Sequence, residues 1–283
     1  MTCINSIKKL NAFVWVFLFA PALSWAELCE KTTHSDIVIE ISPPASDGGR
    51  LIVTAFGDGL AQAEASNVFV EAVSRHRIVP ADFGDFRGGP HKTDDPGWVF
   101  APGSFVAGEQ LWFKALGKLE YWSPTEKAWV TPPNGEAVHY FGAIPLDATD
   151  PDDLEFFTNG TVWQDSGLSG PETAPIEMSG MDGSIHAHLD FCLRDREGDC
   201  IKPGVGHTGA PAVGAYTIEM QLFSNAKKES GQEKYQQSRA IKILLNNGLS
   251  ADECAEAISS LIVPARVSDE ALPASGILIM TGK

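Results

Sequence analysis

His186 and His188 stand two residues apart in the run Gly183-Ser184-Ile185-His186-Ala187-His188-Leu189-Asp190-Phe191. Read as one strand from Ser184 to about Leu193, the run puts His186, His188 and Asp190 on one face. Ile185, Ala187, Leu189 and Phe191 fall on the other. The apolar face asks to be buried. Two imidazoles and a carboxylate in a row are costly to bury without partners, and paired histidines at this spacing suit a metal ion bound on a β-strand. A second i, i+2 pair, His34 and Asp36, opens the first strand of the chain. His91 lies near Asp94 and Asp95 in a turn-rich stretch, and a zinc tetrahedron could draw on His34, His186 and His188 with His91 or a carboxylate as fourth donor. From spacing alone a structural role for the histidines weighs as much as a metal. His76 and His139 read as lone surface residues, solvated or hydrogen-bonded, and His207 as part of a loop.

The elements that must position these residues are mainly strands. Asp36 to Ile41 and Leu51 to Phe56 read as a hairpin through Gly48-Gly49. Gln110 to Leu116, Leu119 to Trp122, Trp129-Val130 and Ala137 to Phe141 follow as short strands, and Asn159-Gly160 marks a further hairpin turn. Pro80 to Trp98 is rich in turn residues and reads as a long irregular segment. Gly214 to Phe223 is the expected antiparallel partner of the histidine strand, and Ile241 to Leu245 comes next. Only Ser250 with Glu253 announces a helix, by a capping box ahead of Cys254, Ala257, Ile258 and Leu261. The expectation is an all-β, antiparallel sandwich of jelly-roll type with a short C-terminal helix, organised as segment 1–26, domain 27–248 and helix with tail 249–283.

Segment 1–26 reads as a signal peptide: Lys8 and Lys9, an apolar run from Phe13 to Leu23, and small residues ending at Ala26. Export is therefore expected, to the periplasm or beyond, with no spanning segment in the mature chain. The formal net charge of −16, more negative once Lys8 and Lys9 leave, disfavours nucleic acid and anionic lipid and favours cations. Four cysteines remain, consistent with two disulfides. Cys192 with Cys200 across a short loop and Cys29 with Cys254 is the favoured pairing, and two other connectivities stay open.

Other chemistries are less well served. There is no H-E-x-x-H, no G-x-S-x-G and no phosphate-binding glycine loop, so an enzyme is not favoured. A cupin-like or dismutase-like metalloenzyme is the catalytic alternative, since both carry H-x-H on strands. A calcium loop at Asp147, Asp150, Asp152 and Asp153 lacks EF-hand spacing. Trp112, Trp122 and Trp129 could form a carbohydrate- or protein-binding face if exposed.

Taken together, His34-Ser35-Asp36-Ile37, Asp94-Asp95-Pro96-Gly97-Trp98, Ile185 to Phe191 and Gly214-Ala215-Tyr216 resemble a family of exported bacterial proteins under zinc-uptake-repressor control. Many members carry a PEP-CTERM tail. The same residues are similar to actinobacterial surface-anchored proteins found with metal ABC transporters. The resemblance implies zinc homeostasis outside the cytoplasm, a metal-uptake component as partner, and His34, Asp36, His186 and His188 as ligands. The chain departs from that pattern at its end, where no Pro-Glu-Pro signal, apolar span and basic cluster occur, which favours a free exported protein over an anchored one.

Overall fold

The computed structural model describes residues 36–42, 49–57, 77–84, 91–141, 160–194 and 210–262. The strand expected before the Asn159-Gly160 turn, Asn159 itself, the acidic loop at 147–153, and His34, His76, His207, Cys29 and Cys200 lie outside these residues.

Fifteen strands and one helix make up the described fold, all-β with a short C-terminal helix as the sequence implies. In chain order they are β1 (Asp36–Ile41), β2 (Leu51–Gly57), β3 (Ile78–Asp82), β4 (Lys92–Thr93), β5 (Gly97–Phe100), β6 (Gln110–Ser123), β7 (Ala128–Val130) and β8 (Ala137–Phe141). There follow β9 (Thr161–Gln164), β10 (Gly167–Ser169), β11 (Thr173–Met178), β12 (Ile185–Ala187), β13 (Asp190–Arg194), β14 (Gly214–Ser224), β15 (Ile241–Asn247) and α1 (Ala251–Leu261). They form three sheets: a four-stranded one in the order β12-β5-β1-β2, a five-stranded one, β10-β9-β8-β13-β4, and a six-stranded one, β11-β6-β14-β15-β3 with β7 paired to β6 off this path. Most pairs are antiparallel, but β1 with β5 and β15 with β3 run parallel, so the antiparallel expectation holds only in part.

One core joins the three sheets. Ile37, Ile39 and Trp98 come from the first, Tyr140, Trp163 and Phe191 from the second, and Phe113, Ile218 and Ile243 from the third. Tyr140 is its hinge: its ring stacks on Phe191 with centroids 4.3 Å apart, and its hydroxyl accepts the Trp98 indole N–H at 2.7 Å. That bond fixes the back of β5, whose front is met by polar residues of the strands on either side. Trp122, Ala215 and Leu244 form a smaller cluster with Cys254, Ala257 and Ile258 of α1. The helix starts where the sequence predicts, with both bonds of the Ser250/Glu253 capping box present.

Several expectations are corrected. The segments Gln110 to Leu116 and Leu119 to Trp122 are one strand, β6. The register shift against β14 falls opposite the Gly117 region, and Gly117 has a φ of 68°. A glycine free to take that angle lets a bulge absorb the irregularity without ending the strand. The stretch from Pro80 to Trp98 is not one irregular segment, because it contains the end of β3 as well as β4 and the start of β5. Pro80 is accommodated because β3 is an edge strand, where a missing N–H breaks no ladder. His139 is buried on β8, not at the surface.

The largest correction concerns the histidine run. It is two strands in two sheets: β12 pairs with β5, and β13 pairs with β8 and β4. Side-chain alternation holds from Ile185 to Leu189 and then gives way to continuous burial from Leu189 to Leu193, because the chain passes at His188-Leu189 from one sheet to the next. The partner of the histidine strand is β5, whereas β14, the expected partner, lies between β6 and β15.

Candidate metal centre

Strand β5 organises the site. On one side β1 lies parallel to it, with Asp36 opposite Gly97, Ile37 opposite Trp98 and Val38 opposite Val99. On the other side β12 lies antiparallel, with His186 opposite Val99 and Ala187 opposite Trp98. Trp98, Ile37, Ile185 and Ala187 point into the core. The alternate positions Asp36, Gly97 and His186 therefore share the opposite face. His188 follows one residue after the last β12 pair, beside Gly97.

Glycine at 97 is what lets the residues meet. A β-carbon there would overlap both the Asp36 carboxylate and the His188 imidazole. The empty place above Gly97 is filled by Asp36 from one neighbouring strand and His188 from the other. Their donor atoms then form a nearly equilateral triangle with His186. His186 Nε2 is 3.2 Å from His188 Nε2, and each is 3.3 Å from Asp36 Oδ1.

Protonation states sharpen the geometry. His188 Nδ1 lies 2.9 Å from the Asp94 backbone carbonyl, which can only accept, so Nδ1 carries the hydrogen. In the neutral ring, Nε2 then turns a lone pair toward Asp36 and His186. The Asp36 side chain is 1% exposed, that of His188 20% and that of His186 58%. The triangle thus has a buried carboxylate at its base and an imidazole at its rim. Burial tends to lower the His188 pKa, but hydrogen bonding to Asp36 and the Asp94 carbonyl, with the charges of both aspartates, outweighs it and raises the value above the ordinary 6.5. Asp190 is pushed up to about 6 by burial and by the nearby Asp94 charge, against Lys92.

Among the described residues two groups have donor atoms close enough to hold a metal ion: Asp36, His186 and His188, and Asp94, Asp95 and His188. His188 belongs to both. Asp36, His186 and His188 are thus brought together as the sequence implies. Two other candidates are not. Asp190 starts β13 and joins neither group, since the change of sheet after His188 takes it off the shared face. His91 donates through Nδ1 to Asn247 Oδ1 at 3.1 Å, on the six-stranded sheet, and joins neither group. His34 lies outside the described residues. In the sequence Asp94 and Asp95 stand out only as acids near His91 in a turn-rich stretch, and that does not mark Gly97 and the Asp94 carbonyl as the groups that shape the site. The available signal was a glycine where β5 alternation calls for a side chain.

Cys192 and Cys254 are both disulfide-bonded, with the cysteines expected to pair with them outside the described residues. The three tryptophans that could have formed a binding face if exposed are not exposed together. Trp122 is fully buried, Trp129 donates to Ser260 Oγ of α1 at 2.8 Å, and Trp112 is half-buried beside Phe223. Among the described residues no helix is long and apolar enough to cross a membrane. Comparison of the chain with family models, with curated proteins and with solved structures gives no match.

Proposed function

We propose that this protein is an exported zinc-binding accessory protein that captures or buffers the metal without turning over a substrate. The observation that supports it is the triangle of donors. A tetrahedral ion with bonds of about 2.0–2.1 Å holds its ligand atoms about 3.3–3.4 Å apart, and the three edges here are 3.2, 3.3 and 3.3 Å. Two imidazole nitrogens with one carboxylate suit zinc, whereas calcium takes oxygen donors almost alone. The hydrogen bond from His188 Nδ1 to the Asp94 carbonyl is the kind of support that metal-binding histidines receive. His34, two residues before Asp36 in the sequence, is the proposed fourth ligand. The predicted signal peptide and the disulfide-bonded Cys192 and Cys254 support an oxidising compartment, where a metal-uptake component is the proposed partner.

A second reading has its own support. The same triangle is also a face of an octahedron with bonds of about 2.3 Å, the two-histidine, one-carboxylate arrangement in which iron(II) keeps open positions. The exposed His186 leaves the outer side of the triangle accessible.

The test is metal content and affinity of untagged, full-length mature protein purified from an export-competent host. One zinc per chain, with X-ray absorption giving four ligands and bonds near ~2.0 Å, is the expected result. Stoichiometric iron in six-coordinate geometry would favour the enzyme instead. Absence of any stoichiometric divalent metal, both as purified and after titration with zinc or iron(II), would overturn both. His34→Ala should leave three protein ligands and weaken zinc at least about 10-fold.

A further inference from the structure

We propose that the turn Asp94-Asp95-Pro96-Gly97 is the outer shell of the metal site and that Asp95 is its positioning residue, an inference that rests on the zinc-binding reading. The turn acts on His188 from two directions. From behind, the Asp94 carbonyl takes the Nδ1 hydrogen at 2.9 Å, and Asp95 Oδ1 stands 3.8 Å from the same nitrogen. From below, Gly97 leaves the room in which the His188 ring and the Asp36 carboxylate lie together. One four-residue segment thus sets the tautomer of a ligand, places a negative charge behind it and clears the space in front of it.

The charge has a direction. Asp95 is buried, its side chain only 6% exposed, so its field on the imidazole is poorly screened. A carboxylate behind the Nδ1–H makes Nε2 a better electron donor, as in carboxylate–histidine–metal arrangements. The turn is itself anchored. Asp95 N–H donates to Thr93 Oγ1 at 3.1 Å, and the strand that continues from it is held by the Trp98 to Tyr140 bond. His188 and Asp36 are therefore the prearranged half of the site. His186, the most exposed of the three, is the ligand that closes it.

Two variants of the full mature chain separate the parts, with zinc affinity read by competition with a chromogenic chelator and His188 ring nitrogens read by ¹⁵N NMR. Asp95→Asn keeps the shape and removes the charge. It should weaken zinc about 10-fold while the His188 Nδ1–H signal persists, because the Asp94 carbonyl remains. Asp95→Glu should recover part of that loss. Gly97→Ala adds one methyl where two ligands meet and should cost at least about 100-fold, beyond the range of outer-shell changes, with near-wild-type circular dichroism. Zinc binding within twofold of wild type for Asp95→Asn would overturn the role of Asp95, and the same result for Gly97→Ala that of the turn, while leaving the zinc reading intact. A wild-type chain that binds no zinc would instead remove the reading beneath it. If Asp95→Asn fails to fold, the Gly97→Ala affinity and Asp95→Glu decide the matter.

Discussion

Asp36 and Glu136 are both fully buried carboxylates, and they live in opposite surroundings. Glu136 is ringed by donors: its oxygens accept from Asn134 N–H at 2.8 Å, Asn134 Nδ2 at 3.0 Å and Ala212 N–H at 3.0 Å. Those bonds tie the turn before β8 to the residues leading into β14, and the charge has a complete structural explanation. Asp36 instead faces the Nε2 atoms of two histidines, one of which has its ring hydrogen committed on the far side. A buried acid by itself therefore says little about metals. What faces it decides: two ring nitrogens converge on the Asp36 oxygen, and the one on His188 turns a lone pair toward it, a place that suits a cation, whether metal or proton.

Exchanging each acid for its amide should separate the two cases. Asp36→Asn should weaken zinc more than about 100-fold, exceeding what outer-shell changes cost, and calorimetry would read it. Glu136→Gln should leave zinc affinity unchanged and lower folding stability by about 1–3 kcal/mol, since an amide NH₂ would confront groups that donate. If the two variants lost zinc equally, or neither did, the contrast would collapse.

Proton and metal compete for the Asp36 end, and pH should reveal the competition. His188 has a raised pKa, so its contribution to the stability of the metal-free protein is full below the ordinary value near ~6.5 and is lost as pH rises through the folded value. Zinc requires the neutral ring, so its affinity should increase over the same window. From about pH 6 to pH 8 the melting temperature of the metal-free chain should fall while the shift produced by zinc grows. Parallel changes would argue that no proton is displaced.

A smaller effect belongs to Asp190, the acid that the change of sheet removed from the ligand set. With its pKa pushed up to about 6 by burial, it destabilises the fold once ionised, so stability is lost as pH rises through that value. Asp190→Asn should gain about 1–2 kcal/mol at pH 8, discounted from the shift for partial solvent access, and nothing near pH 4. Urea titrations at both values would measure it. Zinc affinity should change less than in Asp95→Asn, because Asp190 lies in neither donor group.

The predominance of strands was legible in the residues, as was the helix at Ser250, because period-two alternation and a capping box are local patterns read over a few positions. The donor pair His186 and His188 was legible for the same reason, and Asp36 through its place at the start of β1. The break at His188-Leu189 was not. Ile185 to Phe191 alternates without a flaw, and nothing in that run says that half of it will pair with β5 and half with β8. Asp190 therefore stands in a different sheet from the histidines and in neither donor group.

By itself the sequence determined which residue types could bind a metal, their two-residue spacing, and the strands that would carry them. Only the tertiary structure decided that β1 would run parallel to β5, that β12 would take its other edge, and that Asp36 and His188 would meet over Gly97. Strand pairing is chosen by burial and hydrogen bonding summed over segments far apart in the chain, so the meeting of 36, 97 and 188 is written in no short stretch.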